Sequence, residues 1–225
     1  MATLKAKQKD LKAKGFGNKP MPSEQLTDEE IEILYEAKCL GIESPQALVN
    51  TLWLSTTVYL GLRGGKEQRK SLWGDVVLKK HSDGKEYLEY FIERQTKTRT
   101  GSDPRDTRKI KPRIYAKPEL SQDRDPVRVY KIYASKRPET MNTNDFPFYL
   151  AVNNVQPFSL LIRPLFKAQP IGINKLNSIL KDMVNDAKLG NKRLTNHSAR
   201  KHLVQKLNDN EVPPTRSDNA NYWPS

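Results

Sequence analysis

The stretch Thr195-Asn196-His197-Ser198-Ala199-Arg200 has the clearest chemical content of this chain. It sets a histidine and an arginine three positions apart at the start of a helix-forming run. Positions i and i+3 share one helix face, so an imidazole and a guanidinium there can reach one small target beside helix N-terminal N–H groups, which favour anions. A phosphate is such a target. Two more cations extend the set: Arg63, alone among glycines in Gly61-Leu62-Arg63-Gly64-Gly65, and Lys97, in Gln95-Thr96-Lys97-Thr98-Arg99. Each has an ordinary reading by itself. Arg63 past a helix end would complement the macrodipole, Lys97 is one lysine in a basic loop, and His197 and Arg200 could sit on a capped surface helix. Other chemistries are excluded more firmly. The run ending Gly65-Lys66 has Leu60 where a P-loop needs its first glycine and Glu67 where it needs Ser/Thr. His197 and Ser198 are successive helical residues, which point apart and cannot pair as base and nucleophile.

The elements that must position these groups are legible. Thr27 and Glu30 form a capping box ahead of Ile31, Leu34 and Tyr35. A second helix starts at Ser44 with Pro45 in its first turn, carries Leu48, Leu52, Trp53, Thr56 and Leu60, and ends near Gly61, so Arg63 lies just past its end. Val76-Val77-Leu78 and Tyr87 to Ile92 read as strands joined through Ser82-Asp83-Gly84. Lys97 falls at or just after the second strand, where a hairpin can project it. A helix from Pro126, capped by Asp125 and stopped before Pro138, presents Val127, Tyr130 and Tyr133. The segment from Asn142 to Pro170 is rich in Pro and Asn, which implies irregular chain with a short strand at Phe148-Tyr149-Leu150. A helix from Asn174 to Lys188 turns Leu176, Ile179, Leu180, Met183 and Val184 inward and stops at Gly190. The last helix runs from Asn196 or His197 to Leu207, anchored by Leu203 and Leu207.

The order Arg63, Lys97, His197-x-x-Arg200 resembles the catalytic domain of tyrosine recombinases, the phage-integrase type. Gly61 to Gly65, followed by Leu72-Trp73-Gly74-Asp75-Val76, looks like that family's first box, and Asn196-His197-Ser198-Ala199-Arg200 looks like its second. Within the family, Thr27 to Thr215 is most similar to the Crypton-derived recombinase-like domains of animal proteins. The resemblance implies an α+β fold, mostly helical with a small antiparallel β-sheet and incomplete at its C-terminus. It also implies that Arg63 and Arg200 would hold the non-bridging oxygens of a DNA phosphodiester, Lys97 would protonate the leaving 5′-oxygen, and His197 would assist proton transfer. No metal or nucleotide cofactor is implied. The family's nucleophilic tyrosine follows the second box by a longer span, and from Arg216 onward the resemblance stops. Tyr222 falls too early and beside Pro224 in a polar tail. The expectation is therefore a DNA-binding, recombinase-like domain inactive in this form, with the C-terminal tyrosine segment missing. The alternative is a domesticated DNA-binding or transcription-regulatory module without cleavage, with an RNA-binding basic domain as a third reading.

Charge agrees with a nucleic-acid partner. Lys+Arg number 39 against 26 Asp+Glu, a net +13, with pI near 9.7, the electrostatic footprint of a phosphate-backbone binder. The excess is concentrated around the motifs. Arg94, Lys97, Arg99, Arg105, Arg108, Lys109, Lys111 and Arg113 face only Asp103 and Asp106 across residues 94–113, and residues 187–207 contain basic residues but no acid. Arg94, Arg99, Lys192, Arg193 and Lys201 are the expected DNA contacts.

At 225 residues the chain can hold one sizeable core. It divides into a basic arm or linker over 1–22, a recombinase-like domain over 23–215 and a divergent tail over 216–225. In the arm, Gly15, Gly17, Pro20 and Pro22 preclude a long helix. Lone Cys39 precludes an internal disulfide, and three histidines with one cysteine do not make a zinc finger of the usual spacing. No run of about 18 apolar residues is present. The expected setting is the nucleus and the expected partner DNA, with no membrane association. Self-association or a protein partner would cover the face left by the missing segment.

Overall fold

The computed structural model describes residues 2–16, 22–62, 64–92, 111–153, 164–190 and 192–209. Among these residues seven α-helices are described: α1 (Ala2–Ala13), α2 (Asp28–Glu36), α3 (Pro45–Tyr59), α4 (Gly64–Lys70), α5 (Pro126–Lys136), α6 (Ile173–Asp186) and α7 (Asn196–Asp209). The strands β1 (Val76–Lys80), β2 (Glu86–Tyr90) and β3 (Arg113–Tyr115) form one antiparallel sheet in that order, and β4 (Leu150–Val152) pairs antiparallel with β5 (Phe166–Pro170).

Local sequence explains most of these boundaries. The α2 capping box forms as expected, with Thr27 Oγ1 accepting from the Glu30 N–H and Glu30 Oε2 accepting from the Thr27 N–H. Ser44 caps α3 through the Ala47 N–H, and Pro45 occupies its first turn. Asp125 caps α5, and Pro126 starts it. The apolar face of α6 is the expected one: Leu176, Ile179, Leu180, Met183 and Val184 are all buried.

Helix α3 organises the core. Its apolar residues point in every direction, the pattern of a helix enclosed on all sides. Leu48, Val49, Leu52 and Trp53 are essentially inaccessible. Helices α5 and α7 pack against α3, while α6 packs against α4 and α7. Beside them lies an aromatic cluster in which Trp73 stacks on Tyr130 at 5.0 Å and meets Phe148 at 5.6 Å. Tyr133 meets Phe166 edge-on at 5.0 Å.

Arg137 locks the irregular segment that follows α5. Its Nη1 donates to the Phe148 carbonyl at 2.8 Å, and its Nη2 donates to the carbonyls of Met141 and Pro147. The guanidinium lies 4.1 Å from the Trp73 ring. Burial pushes its pKa down. Three carbonyl acceptors and a ring face hold this buried cation, which is how residues 138–148 keep a defined path with little regular structure.

The structure departs from the sequence reading in several places. The arm contains α1, which ends before Gly15 in a Schellman turn: the Phe16 N–H donates to the Leu11 carbonyl and the Gly15 N–H to that of Lys12. Helix α4 directly follows Arg63. Strand β3 is built from Arg113–Tyr115, where only Ile114 points into the core, so no alternation was long enough to announce it. The strand expected at Phe148-Tyr149-Leu150 lies at Leu150–Val152, and it pairs with β5, whose middle three residues are exposed. Leu203 and Leu207 are buried as expected but form a small cluster apart from the main core, which Ala199 joins in their place.

Replacing Arg137 by alanine would take the guanidinium donor from the Met141 and Pro147 carbonyls, each loss a penalty of about 1–3 kcal/mol, while the Phe148 carbonyl keeps the Tyr133 hydroxyl. Arg137→Ala is therefore expected to lower stability by roughly 3 kcal/mol in urea denaturation, while Arg128→Ala, at an exposed position of α5, changes it little.

Candidate nucleic-acid interface

Every residue of the Asn196–Arg200 motif has a distinct physical task. Thr195 Oγ1 accepts from the His197 N–H at 3.3 Å, and Ser198 Oγ accepts from the Thr195 N–H at 3.0 Å, a reciprocal cap that opens α7. Asn196 spans the gap to α6, donating from Nδ2 to the Leu176 carbonyl at 2.8 Å and accepting at Oδ1 from the Leu180 N–H at 3.3 Å. Ser198 and Ala199 are buried completely. The i and i+3 pair, exposed His197 and half-buried Arg200, is left to face outward. The cap uses the His197 N–H, so the helix start offers an anion fewer free donors than the sequence alone implied.

Arg200 joins the two halves of the motif. Its Nη1 donates to the Gly61 carbonyl at 3.1 Å across 139 residues of sequence. Gly61 holds φ +67 at the end of α3, in the left-handed region that favours glycine, and a Cβ there would meet Leu203 at 3.9 Å. The chain thus leaves α3 against α7, and the first box reaches the second through this bond. Arg63 lies outside the described residues, as do Lys97, Arg94, Arg99 and Tyr222.

Together with Gln25, Val204 and Gln205, the side chains of His197, Arg200 and Lys201 line an open depression of about 260 Å³. All five of its α7 residues lie on one helix face, spaced i, i+3, i+4, i+7 and i+8. Gln25, Val204 and Gln205 were not singled out in the sequence. The α7 spacing pointed to the last two, but nothing local indicated that Gln25 would be brought there.

Gln25 arrives because the segment before α2 is strapped along α7. The Glu24 N–H donates to the Arg193 carbonyl, the Leu26 N–H donates to the Ser198 carbonyl, and Leu26 is fully buried. Lys201 Nζ donates to the Ser23 carbonyl at 2.7 Å, and Lys192 pairs with Glu30 at 2.9 Å. Two of the expected DNA contacts therefore also hold the strap. Arg193 is exposed beside them.

His202, which the sequence reading passed over, fastens the same strap. Its Nδ1 lies 2.9 Å from the Leu26 carbonyl, which makes Nδ1 the protonated nitrogen, and its Nε2 faces Asp28 at 3.7 Å. Lys206 also pairs with Asp28, at 2.7 Å. Burial pushes the His202 pKa below its ordinary value, and Asp28 opposes that shift only in part. Among the described residues, no group of three or more His, Cys, Asp or Glu could hold a metal ion, and no helix is long and apolar enough to cross a membrane.

The architecture is that of a tyrosine-recombinase-type fold. Over 92% of this chain and 49% of the other, it superposes with a TM-score of 0.50 and 14% identity on a structure described as XerH site-specific recombinase bound to difH substrate, a pre-cleavage complex. Residues 25–185 match the family model described as "Domain of unknown function (DUF3504)", and the chain belongs to that family. It is 27% identical over 167 residues to the uncharacterized protein KIAA1958 of Homo sapiens and to its Mus musculus homolog, covering 74% of this chain and 22% of each relative. It is 30% identical over 131 residues to zinc finger MYM-type protein 3 of Homo sapiens, covering 54% of this chain and 10% of that protein. The chain thus spans about a fifth, or less, of the length of these relatives.

The neutral form of His202 is the one the fold accommodates. Above the ordinary histidine value near 6.5, its contribution to stability is fully present. As pH falls through the window from that value down to the depressed folded value, the unfolded chain takes up protons that the folded chain resists, and stability drops. Urea midpoints at pH 7.5 and 5.5 should show this fall, and His202→Asn should flatten it.

Proposed function

We propose that this domain binds duplex DNA in the nucleus and grips a backbone phosphate with His197 and Arg200, aided by Arg63 and Lys97. The observation that supports this most directly is the Arg200–Gly61 hydrogen bond, which brings the segment leading to Arg63 against the face that carries His197. A guanidinium and an imidazole on one exposed face suit the non-bridging oxygens of a phosphodiester, and the net charge of +13 suits a polyanion. Arg193, with Lys192, Lys201, Arg94 and Arg99, would contact neighbouring phosphates. The recombinase-like fold and the DNA-bound state of its structural neighbour agree with this reading. The similarity to a MYM-type zinc finger protein agrees with the nuclear setting.

The domain would descend from a Crypton-type recombinase and act in this form as a binding module. Among the described residues, no tyrosine lines the depression. Burial pushes up the pKa of Tyr35, Tyr130, Tyr133 and Tyr149, consistent with core phenols and not with nucleophiles. If the chain were to cleave DNA, a phenol would have to be supplied in line with the leaving oxygen.

With roughly six phosphates contacted, duplex affinity should fall about a thousandfold between 50 and 200 mM salt. Arg200→Ala and His197→Ala should each weaken binding more than Lys7→Ala in the arm. Salt-independent binding would refute the proposal. The 225-residue chain should give no covalent adduct with a nicked suicide substrate; an adduct abolished by Tyr222→Phe would instead assign a nucleophile and make the domain an enzyme.

A further inference from the structure

We infer that the outer face of the β1–β2–β3 sheet is a second nucleic-acid surface, one that takes single-stranded DNA; the inference rests on the DNA-binding role proposed for α7. Strand register divides the sheet cleanly. Val76, Leu88, Tyr90 and Ile114 point into the core. The opposite face aligns Glu89 with Arg113 and places Lys79, Tyr87 and Tyr115 in one row.

That face alternates rings and cations. Lys111 Nζ lies 3.6 Å from the centre of the Phe91 ring, with Lys79 Nζ at 5.0 Å from the same ring. Arg113 lies over Tyr87 at 5.0 Å, and Lys85 approaches Tyr115 at 5.9 Å. Glu89 is the carboxylate among these contacts. It is only 3% exposed and is held between Lys79 at 2.5 Å and Arg113 at 2.9 Å, so it offsets part of the charge without showing itself to solvent. What solvent meets is positive charge beside two partly exposed rings, Phe91 at 47% and Tyr115 at 38% exposure.

The rings decide the form of the partner. Cations alone would suit any polyanion, but a duplex keeps its base faces stacked inside, whereas an unpaired strand can lay them on aromatic side chains. Phe91, one residue past the end of β2, and Tyr115, on the neighbouring β3, are offset by about four residues or roughly 14 Å along the strands, the reach of a few nucleotides in extended chain. A lysine over each ring puts a phosphate ligand next to each stacking platform. An acidic peptide would satisfy the cations and leave the rings with no planar partner.

The test holds charge constant and changes only the rings, using the full 225-residue chain and a fluorescent oligothymidylate. Phe91→Ala and Tyr115→Ala should each weaken oligothymidylate binding about tenfold and leave duplex affinity unchanged. Arg200→Ala should do the reverse, so loss of the α7 reading shows in the duplex arm alone. Phe91→Trp should retain oligothymidylate affinity, which separates loss of stacking from loss of fold. The inference is overturned if the double alanine variant melts normally and binds oligothymidylate as well as the parent, if Phe91→Trp binds as poorly as Phe91→Ala, or if oligoglutamate competes for the strand with the same dependence on the two rings.

Discussion

The way the chain leaves helix α3 constrains the whole interface. Because α3 is enclosed on nearly every side, its end cannot fray towards solvent, and the chain must turn within two residues of Tyr59. Gly61 makes that turn at φ +67, and its carbonyl accepts from Arg200. One guanidinium therefore serves two ends: it closes a helix terminus and it stands on the exposed face of α7. The proposed phosphate grip depends on this bond, because it fixes the position of Arg200 before any ligand arrives. A preorganised cation loses less conformational entropy on binding than a free one.

The strap along α7 adds a second constraint of the same kind. Residues 23–30 contribute backbone bonds to Arg193 and Ser198, the buried Leu26 side chain, and carboxylates that pair with Lys192 and Lys206. Net charge thus overstates how many cations are available to a partner. Lys192, Lys201, Lys79 and Arg113 all have partners within the fold. Basic side chains that hold the structure can still contribute to the electrostatic field that steers a polyanion, but their replacement would disturb both functions. His197 stands more openly on the surface and separates the two effects more cleanly.

Sequence reading succeeded where the signal was local. Thr27 with Glu30, Ser44 with Pro45, and Asp125 with Pro126 each satisfy helix N–H groups within a few residues, and each helix begins where those caps place it. The α6 periodicity named its buried residues correctly because a single face meets the core. Reading failed where partnership was long-range. Strand β5 is mostly exposed and gains its conformation by pairing with β4, while β3 is three residues long and owes its existence to β2. His202 looked like one more polar residue on a basic helix, and only the approach of Leu26 and Asp28 gives it a role.

The sequence by itself determined the composition of the candidate site: the residue types, the i and i+3 spacing of His197 and Arg200, and the positive balance around them. Helical periodicity and charge are properties of the chain that no packing can alter. Only the tertiary structure decided that Asn196 braces α6, that Ser198 turns inward, that Gln25 joins the depression and that the Gly61 carbonyl meets Arg200. Those outcomes depend on contacts between segments up to 178 residues apart, such as Ser23 with Lys201, and a contact of that kind has no local signature. It exists because burying Leu26, Ala199 and the α3 core in one body leaves their polar neighbours with few other partners.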